Sequence, residues 1–145
     1  MMHLCYRPAG EEDIPVLFHM AKELIDAYED LSSIDYDRVL AWVKRKITQN
    51  ITSYICVYAL DKKVGFYRLA REPEGTELDD FYILPEYRGK GIGSEILQKI
   101  VNEAPKPIFL YVFTANTGAI RLYRRFAFRT TKQVSPTRII MSRNG

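Results

Sequence analysis

Leu84-Pro85-Glu86-Tyr87-Arg88-Gly89-Lys90-Gly91-Ile92-Gly93-Ser94 is the stretch from which the rest of the chain can be read. An extended run, Glu77 to Leu84, stops at Pro85, and three glycines follow at alternate positions. Ile92, Ile96, Leu97, Ile100 and Val101 then take up the spacing of one helical face. Glycine lets backbone N–H groups approach a ligand closely, and the first turn of a helix leaves its N–H groups without partners. With the helix dipole, such a strand-to-helix turn suits phosphate or pyrophosphate, and Arg88 and Lys90 add positive charge. Two common phosphate loops do not fit. A Walker loop needs Gly-Lys-Ser/Thr, and Gly93-Ser94 has no lysine. A dinucleotide fingerprint needs Gly-x-Gly-x-x-Gly, whereas this loop is Gly-x-Gly-x-Gly and follows several antiparallel strands. A charged glycine turn that only caps a helix is the plain alternative.

Working outward, His3 to Arg7 reads as a short extended start ended by Pro8. Asp13 to Tyr28 places Ile14, Leu17, Phe18, Ala21, Leu24 and Ile25 on one helical face, with Glu11, Glu12 and Asp13 in the first turn where the dipole favours them. A second helix is expected over Asp35 to Thr48, with a loop from Glu29 to Ile34 between the two. Ser53 to Leu60 is rich in β-branched and aromatic residues, and Asp61-Lys62 turns it into Val64 to Ala70. Past the glycine loop and its helix, Ile108 to Phe113 is a strand and Asn116 to Phe126 a short helix. Phe128 to Lys132 and Arg138 to Ser142 close a hairpin around Ser135-Pro136. The order β-αα-βββ-α-β-α-ββ predicts a mixed α/β fold on one sheet with helices on its faces. No linker or repeat divides it, so residues 1–145 read as a single domain.

Composition agrees. The chain has 145 residues, 47% hydrophobic and 27% charged, which excludes a disordered or low-complexity segment. No apolar run is long enough to cross a bilayer, and Met1 to Pro15 lacks a signal-peptide core. Cys5 and Cys56 form neither a metal-ligand spacing nor a disulfide framework, and His3 and His19 stand alone. A cytoplasmic protein without a metal, away from membranes, is the expectation. The formal charge of +3 hides a split. All 18 acidic residues lie at or before Glu103, alongside 13 of the 21 basic ones, and the remaining eight basic residues have no acidic neighbour in sequence. Nucleic-acid binding by this basic third is one reading, helped by the aromatic–basic run Tyr123-Arg124-Arg125-Phe126-Ala127-Phe128-Arg129 but by no recognition signature.

The glycine loop resembles the acyl-CoA pyrophosphate loop of the GNAT N-acetyltransferases, [Gln/Arg]-x-x-Gly-x-[Gly/Ala], matched by Arg88-Gly89-Lys90-Gly91-Ile92-Gly93. Glu77 to Pro85 matches the strand before it in that family. Asn116-Thr117-Gly118-Ala119-Ile120-Arg121-Leu122-Tyr123 matches the family's second motif, Asn-x-x-Ala-x-x-Leu-Tyr, with Phe128 as the aromatic that follows. Two motifs at compatible spacing are far more specific than either alone, and the element order fits the acyl-CoA N-acyltransferase fold throughout. One departure is Ala127-Phe128, where the family often has Gly-Phe.

The resemblance implies transfer of an acetyl group from acetyl-CoA to a primary amine, by direct attack in a ternary complex. It assigns acetyl-CoA to Gly89, Gly91, Ile92, Gly93 and Ser94, framed by Arg88 and Lys90, with Asn116 on the cofactor arm. It assigns the pantetheine to Ile83 and the acetyl oxygen to the N–H of Phe81, because the fourth strand of the family splays from the fifth. Tyr123 matches the tyrosine that protonates the departing thiolate. Glu77 lies where one branch of the family places a catalytic glutamate, and strand alternation, which would put Glu77, Asp79 and Phe81 on one face, makes Asp79 a rival. Water chains are a third route. The acceptor would meet the first two helices and Tyr28, Asp30, Asp35, Tyr36 and Asp37, a set suited to a cationic amine, although solvated helix ends would look the same. Arg121, Arg124 and Arg125 are expected to bring one guanidinium near the 3′-phosphate. A non-catalytic acyl-CoA-binding module of the same fold is the nearest alternative, and family members often form homodimers.

Overall fold

The computed structural model describes residues 3–145. Strand β1 (Leu4–Pro8) leads through a 3-10 turn at Glu11–Asp13 into α1 (Ile14–Tyr28), then α2 (Tyr36–Gln49). Three antiparallel strands follow, β2 (Tyr54–Ala59), β3 (Lys62–Glu72) and β4 (Gly75–Ile83). Helix α3 (Ile92–Glu103) crosses to β5 (Ile108–Phe113), parallel to β4, and α4 (Thr117–Arg125) precedes the hairpin β6 (Arg129–Ser135) and β7 (Arg138–Arg143). All seven strands join one sheet in the order β1-β2-β3-β4-β5-β7-β6. The expected order of elements is the observed one. The β3 strand runs longer than its apolar pattern, because the polar ends Lys62 and Arg71-Glu72 continue the hairpin ladders.

The sheet separates two cores. Adjacent Cys56 and Val57 fall on opposite sides, as strand alternation requires. On one side α3 and α4 bury Ile96, Leu97, Ile100 and Ile120 against Val57, Leu110, Met141 and Phe128. On the other, α1 and α2 bury Leu17, Met20, Val43 and Ile47 against Tyr54, Cys56, Phe66 and Tyr82. Both cysteines are free thiols. Burial pushes the Cys56 thiol up to about 11, so it packs as a protonated, largely apolar side chain. Among the described residues no helix is long and apolar enough to cross a membrane, and no group of three or more His, Cys, Asp and Glu side chains could hold a metal ion.

Strands β4 and β5 share only two paired positions, Thr76 with Ile108 and Glu77 with Phe109. Beyond them the strands part, while β4 stays paired with β3 as far as Ile83 opposite Gly65. The sheet therefore has a cleft in its middle that begins just after Glu77.

Candidate active site

Strand β4 presents its backbone to this cleft. The N–H of Leu84 donates to the Val64 carbonyl at 2.9 Å, so Leu84 and Tyr82 turn their N–H groups toward β3. Phe81 and Ile83, one residue out of phase, turn theirs toward the edge that β5 has left. The Ile83 carbonyl is outside the β3 ladder too, since it accepts the Nε–H of Arg88 at 2.9 Å. Arg88 thus braces the end of β4, leaving its two terminal guanidinium nitrogens for the loop.

After the 3-10 turn Pro85–Tyr87, Gly89 and Gly91 adopt φ of +75° and +82°, and Gly91 caps α3. Both are left-handed positions that favour glycine. A Cβ at either would meet no atom within 4 Å, so the loop is shaped around open space at the α3 N-terminus, where unpaired N–H groups and the dipole converge. Gly93 differs. A Cβ there would sit 3.7 Å from Ile83 Cγ1, 3.8 Å from Leu122 Cδ2 and 3.9 Å from Phe81 Cζ, ordinary packing distances. Alanine fits, which accounts physically for the Gly/Ala freedom of the matched motif. The same contacts bring β4, α3 and α4 together at one point.

Helix α4 starts at Asn116, whose Oδ1 accepts the N–H of Ala119 at 3.3 Å, so Asn116 does cap the helix. The helix ends in a Schellman turn. The Ala127 N–H donates to the Arg124 carbonyl at 3.0 Å and the Phe128 N–H to the Tyr123 carbonyl at 3.1 Å. Ala127 takes the left-handed conformation, φ +66°, that the family's glycine would take without strain. The rings of Tyr123 and Phe128 meet at 5.8 Å, the hydrophobic contact that accompanies this turn. Tyr123 is 8% exposed, and burial together with the charge of Asp80 pushes its phenol well up. Its hydroxyl therefore stays protonated at neutral pH.

The Tyr123–Arg129 run offers no stacking platform. Tyr123 and Phe128 are core residues and Phe126 packs against the same core, so the exposed positions are the arginines and Ala127 and no aromatic ring is fully exposed.

Glu77 holds the last paired position before the cleft opens. Burial, then the charges of Asp79 and Glu72, push its carboxyl up to about 7, against the opposing pull of Lys46 and Arg68. A base of that strength is half ionised near neutral pH. The alternation expected for Glu77, Asp79 and Phe81 does not hold. Arg68 pairs with Asp80 and Leu69 with Leu78, so Asp79 is the extra residue of a β-bulge and the faces exchange across it. Leu78, Phe81 and Ile83 pack on the α3 side, while Tyr82 packs on the α1–α2 side. Asp79 is not a free base. It accepts from Arg68 Nη1 at 2.8 Å and Lys46 Nζ at 3.1 Å.

A polar network absent from the sequence reading surrounds this bulge. Asp80 accepts from Lys46 Nζ at 2.9 Å, from the Tyr82 hydroxyl at 2.9 Å and from the Tyr54 hydroxyl. Arg68 also reaches Ser53 Oγ at 2.7 Å and Asn50 Oδ1 at 3.1 Å. Burial would lower Lys46, but Asp80 and Asp79 outweigh it and hold the ammonium above its usual range. One signal was available. Lys46 and Asn50 lie on the same helical stripe as Val39, Val43 and Ile47, a face expected to be apolar.

The acceptor-side residues divide. Asp30 and Asp35 are spent as caps, accepting the N–H groups of Ser32 and Arg38. The Tyr36 hydroxyl donates to Asp26 at 2.6 Å, and Asp37 lies in the exposed first turn of α2. Tyr28 lies with its ring 6.3 Å from that of Phe113 on β5, and Glu29 accepts from the Thr137 hydroxyl of the β6–β7 turn. Arg121, Arg124 and Arg125 are exposed along α4.

With a strand-ended glycine cradle, a cleft between parallel strands and a buried tyrosine on the facing helix in place, comparison with known proteins is informative. Residues 17–128 match the acetyltransferase (GNAT) family. The chain belongs to that family. Among GNAT relatives, the spermine/spermidine N(1)-acetyltransferase of Bacillus subtilis is 37% identical over 79 residues, covering 46% of this chain and 52% of that protein. The chain thus spans about half the length of this relative. The peptidyl-lysine N-acetyltransferase YjaB of Escherichia coli is 27% identical over 107 residues, 74% of this chain and 69% of that one. Among solved structures, the PaiA N-acetyltransferase of Thermoplasma acidophilum in complex with coenzyme A has a TM-score of 0.72 at 20% identity, over 99% of this chain and 100% of that one. An acetyltransferase of Thermus thermophilus gives 0.75 at 19% identity over the whole of both chains. At these identities the structures speak for the GNAT fold.

Proposed function

We propose that this GNAT chain is an N-acetyltransferase that moves the acetyl group of acetyl-CoA to a primary amine by direct attack in a ternary complex. The observation that carries the reading is the cleft: β4 and β5 part after Glu77, and the freed edge of β4 leads into a left-handed glycine loop at the α3 N-terminus. The pyrophosphate of the donor sits on the N–H groups of Gly89, Gly91, Ile92 and Gly93 and on Ser94, with Arg88 and Lys90 beside them. The open space at the Gly89 and Gly91 Cβ positions supports that fit. Ile83 holds the pantetheine arm through its backbone, and the Phe81 N–H donates to the thioester carbonyl as negative charge gathers on its oxygen. Asn116 and one of Arg121, Arg124 and Arg125 attend the rest of the cofactor.

Glu77 takes a proton from the incoming ammonium, directly or through water, and the neutral amine so formed attacks the thioester carbonyl. Tyr123 returns one to the departing thiolate. A phenol is a weaker acid than a thiol, so this transfer relies on position beside the sulfur and on charge growing there in the transition state. The acceptor is a cationic amine, a polyamine or a lysine side chain. The half-ionised Glu77 and the acidic first two-thirds of the chain support this, as do the printed activities of the relatives. The domain, 1–145, works in the cytoplasm, without metal, nucleic acid or membrane, alone or as a homodimer.

Thiol release in the presence of acetyl-CoA and a panel of spermidine, lysine peptides and aminoglycosides tests the reading. One amine giving stoichiometric CoA is the expected result. Stabilisation by acetyl-CoA with no amine consumed would leave an acyl-CoA-binding module instead.

A further inference from the structure

We propose that Lys46 is a positioning residue for this site: its ammonium, held between Asp79 and Asp80, fixes the β4 bulge that sets Glu77 on one face of the sheet and Phe81 and Ile83 on the other. The inference rests on the acetyl-transfer reading for its purpose, though not for its measurement. A bulge interrupts a ladder and leaves one residue unpaired, so by itself it is a soft point. Here the unpaired residue, Asp79, and its neighbour Asp80 carry adjacent carboxylates into a site where their side chains are 14% and 12% exposed. Two such anions side by side repel each other and lose hydration unless cations meet them. Among the described residues Lys46 alone is a cation touching both, at 3.1 and 2.9 Å. Arg68 meets only Asp79 and is itself aligned by Asn50 and Ser53, at the end of α2 and just beyond it. Asn50 closes the loop by donating to the Lys46 carbonyl at 2.8 Å. Helix α2, on the acceptor side, is therefore tied directly to both carboxylates of β4, on the donor side, by the Lys46 ammonium, with Arg68 a second bridge to Asp79 alone.

Four charged groups act on Glu77: Lys46 from α2, Arg68 and Glu72 from β3, and Asp79 from its own strand; opposite it on β5 stands neutral Phe109. Loss of the Lys46 cation and loss of the Asp79 anion must therefore shift Glu77 in opposite directions. Charge alone would do this without moving the backbone, so displacement of the Phe81 and Ile83 amides is the readout that positioning adds.

The test uses the full chain, 13C-labelled at glutamate and free of acetyl-CoA and amine, with the Glu77 carboxyl signal identified by its loss in Glu77→Gln. Lys46→Met is expected to raise the Glu77 titration midpoint by roughly half a pH unit or more and to move the amide signals of Phe81 and Ile83. Asp79→Asn is expected to lower the midpoint, and Lys46→Arg to restore it to within experimental error. If Lys46→Met does not fold, the Phe81 and Ile83 amides decide, displaced in Asp79→Asn and in place in Lys46→Arg. Phe81 and Ile83 amides that stay unchanged in the folded variants, even with a shifted Glu77 midpoint, would overturn the proposal. These signals are read whether or not any amine is acetylated. A failed transfer assay would therefore count against the enzyme reading and leave the Lys46 result standing.

Discussion

Replacing Ala127 with glycine should stabilise the protein without touching a functional group. Ala127 is exposed and holds φ at +66° in the turn that ends α4. A left-handed residue with a Cβ costs roughly 1–2 kcal/mol relative to the usual conformation. Glycine removes that cost but gives the unfolded chain extra freedom, worth about 0.4–1 kcal/mol. The exposed methyl group adds no burial to lose, and the two Schellman hydrogen bonds remain. The net expectation is a gain of about 0.5–1 kcal/mol, or a melting temperature higher by roughly 1–4 °C for a chain of this size. Urea unfolding of both proteins measures it, with an unchanged m-value as the control. A midpoint that stays level or falls at constant m would refute the left-handed assignment. With it would go the argument that this turn sets Tyr123 against Phe128. Acetyl-CoA affinity is expected to be the same in both proteins.

Removing the Tyr123 hydroxyl in Tyr123→Phe should lower turnover about 10²- to 10⁴-fold while acetyl-CoA affinity, read by calorimetry, changes little; equal loss of both would make Tyr123 a packing residue. The wild type is expected to show a rise of kcat/KM through about pH 7 as the Glu77 carboxyl ionises, and Glu77→Gln should abolish it. Because the folded-state value lies above the unfolded one, Glu77 favours the fold below the unfolded value, and that contribution is lost as pH rises through about 7. The glutamine variant should thus gain stability relative to wild type between pH 5 and pH 8, by roughly 1 kcal/mol after screening by water; denaturant midpoints at the two pH values check the sign. In the loop, Gly91→Glu should eliminate acetyl-CoA binding, since it strains a φ of +82° and aims a carboxylate into the phosphate site. Gly93→Ala should bind within about threefold of wild type, because its Cβ meets ordinary contacts. Comparable binding by both variants would remove the loop assignment.

The sequence alone determined whatever depends on neighbours along the chain. Apolar spacing separates helix from strand because each has its own period, and the Pro85 stop and alternating glycines mark the α3 start because backbone sterics act over a few residues. The motif residues from Arg88 to Gly93 and from Asn116 to Tyr123 could therefore be named before their geometry was known. The tertiary structure decided what depends on contacts between distant segments. Period-two counting placed Glu77 and Phe81 on one face; one unpaired residue in the ladder with β3 exchanged them. Asp30 and Asp35 looked like acceptor ligands, but a carboxylate before a helix serves equally as a cap, and only hydrogen bonds tell the two apart. Lys46 could be noticed on an apolar stripe, yet its partners lie on a strand far along the chain. The split in charge along the sequence is local information too. What leaves Glu77 at the last paired position before the cleft is the parting of β4 and β5, a matter of register between strands that no single stretch encodes.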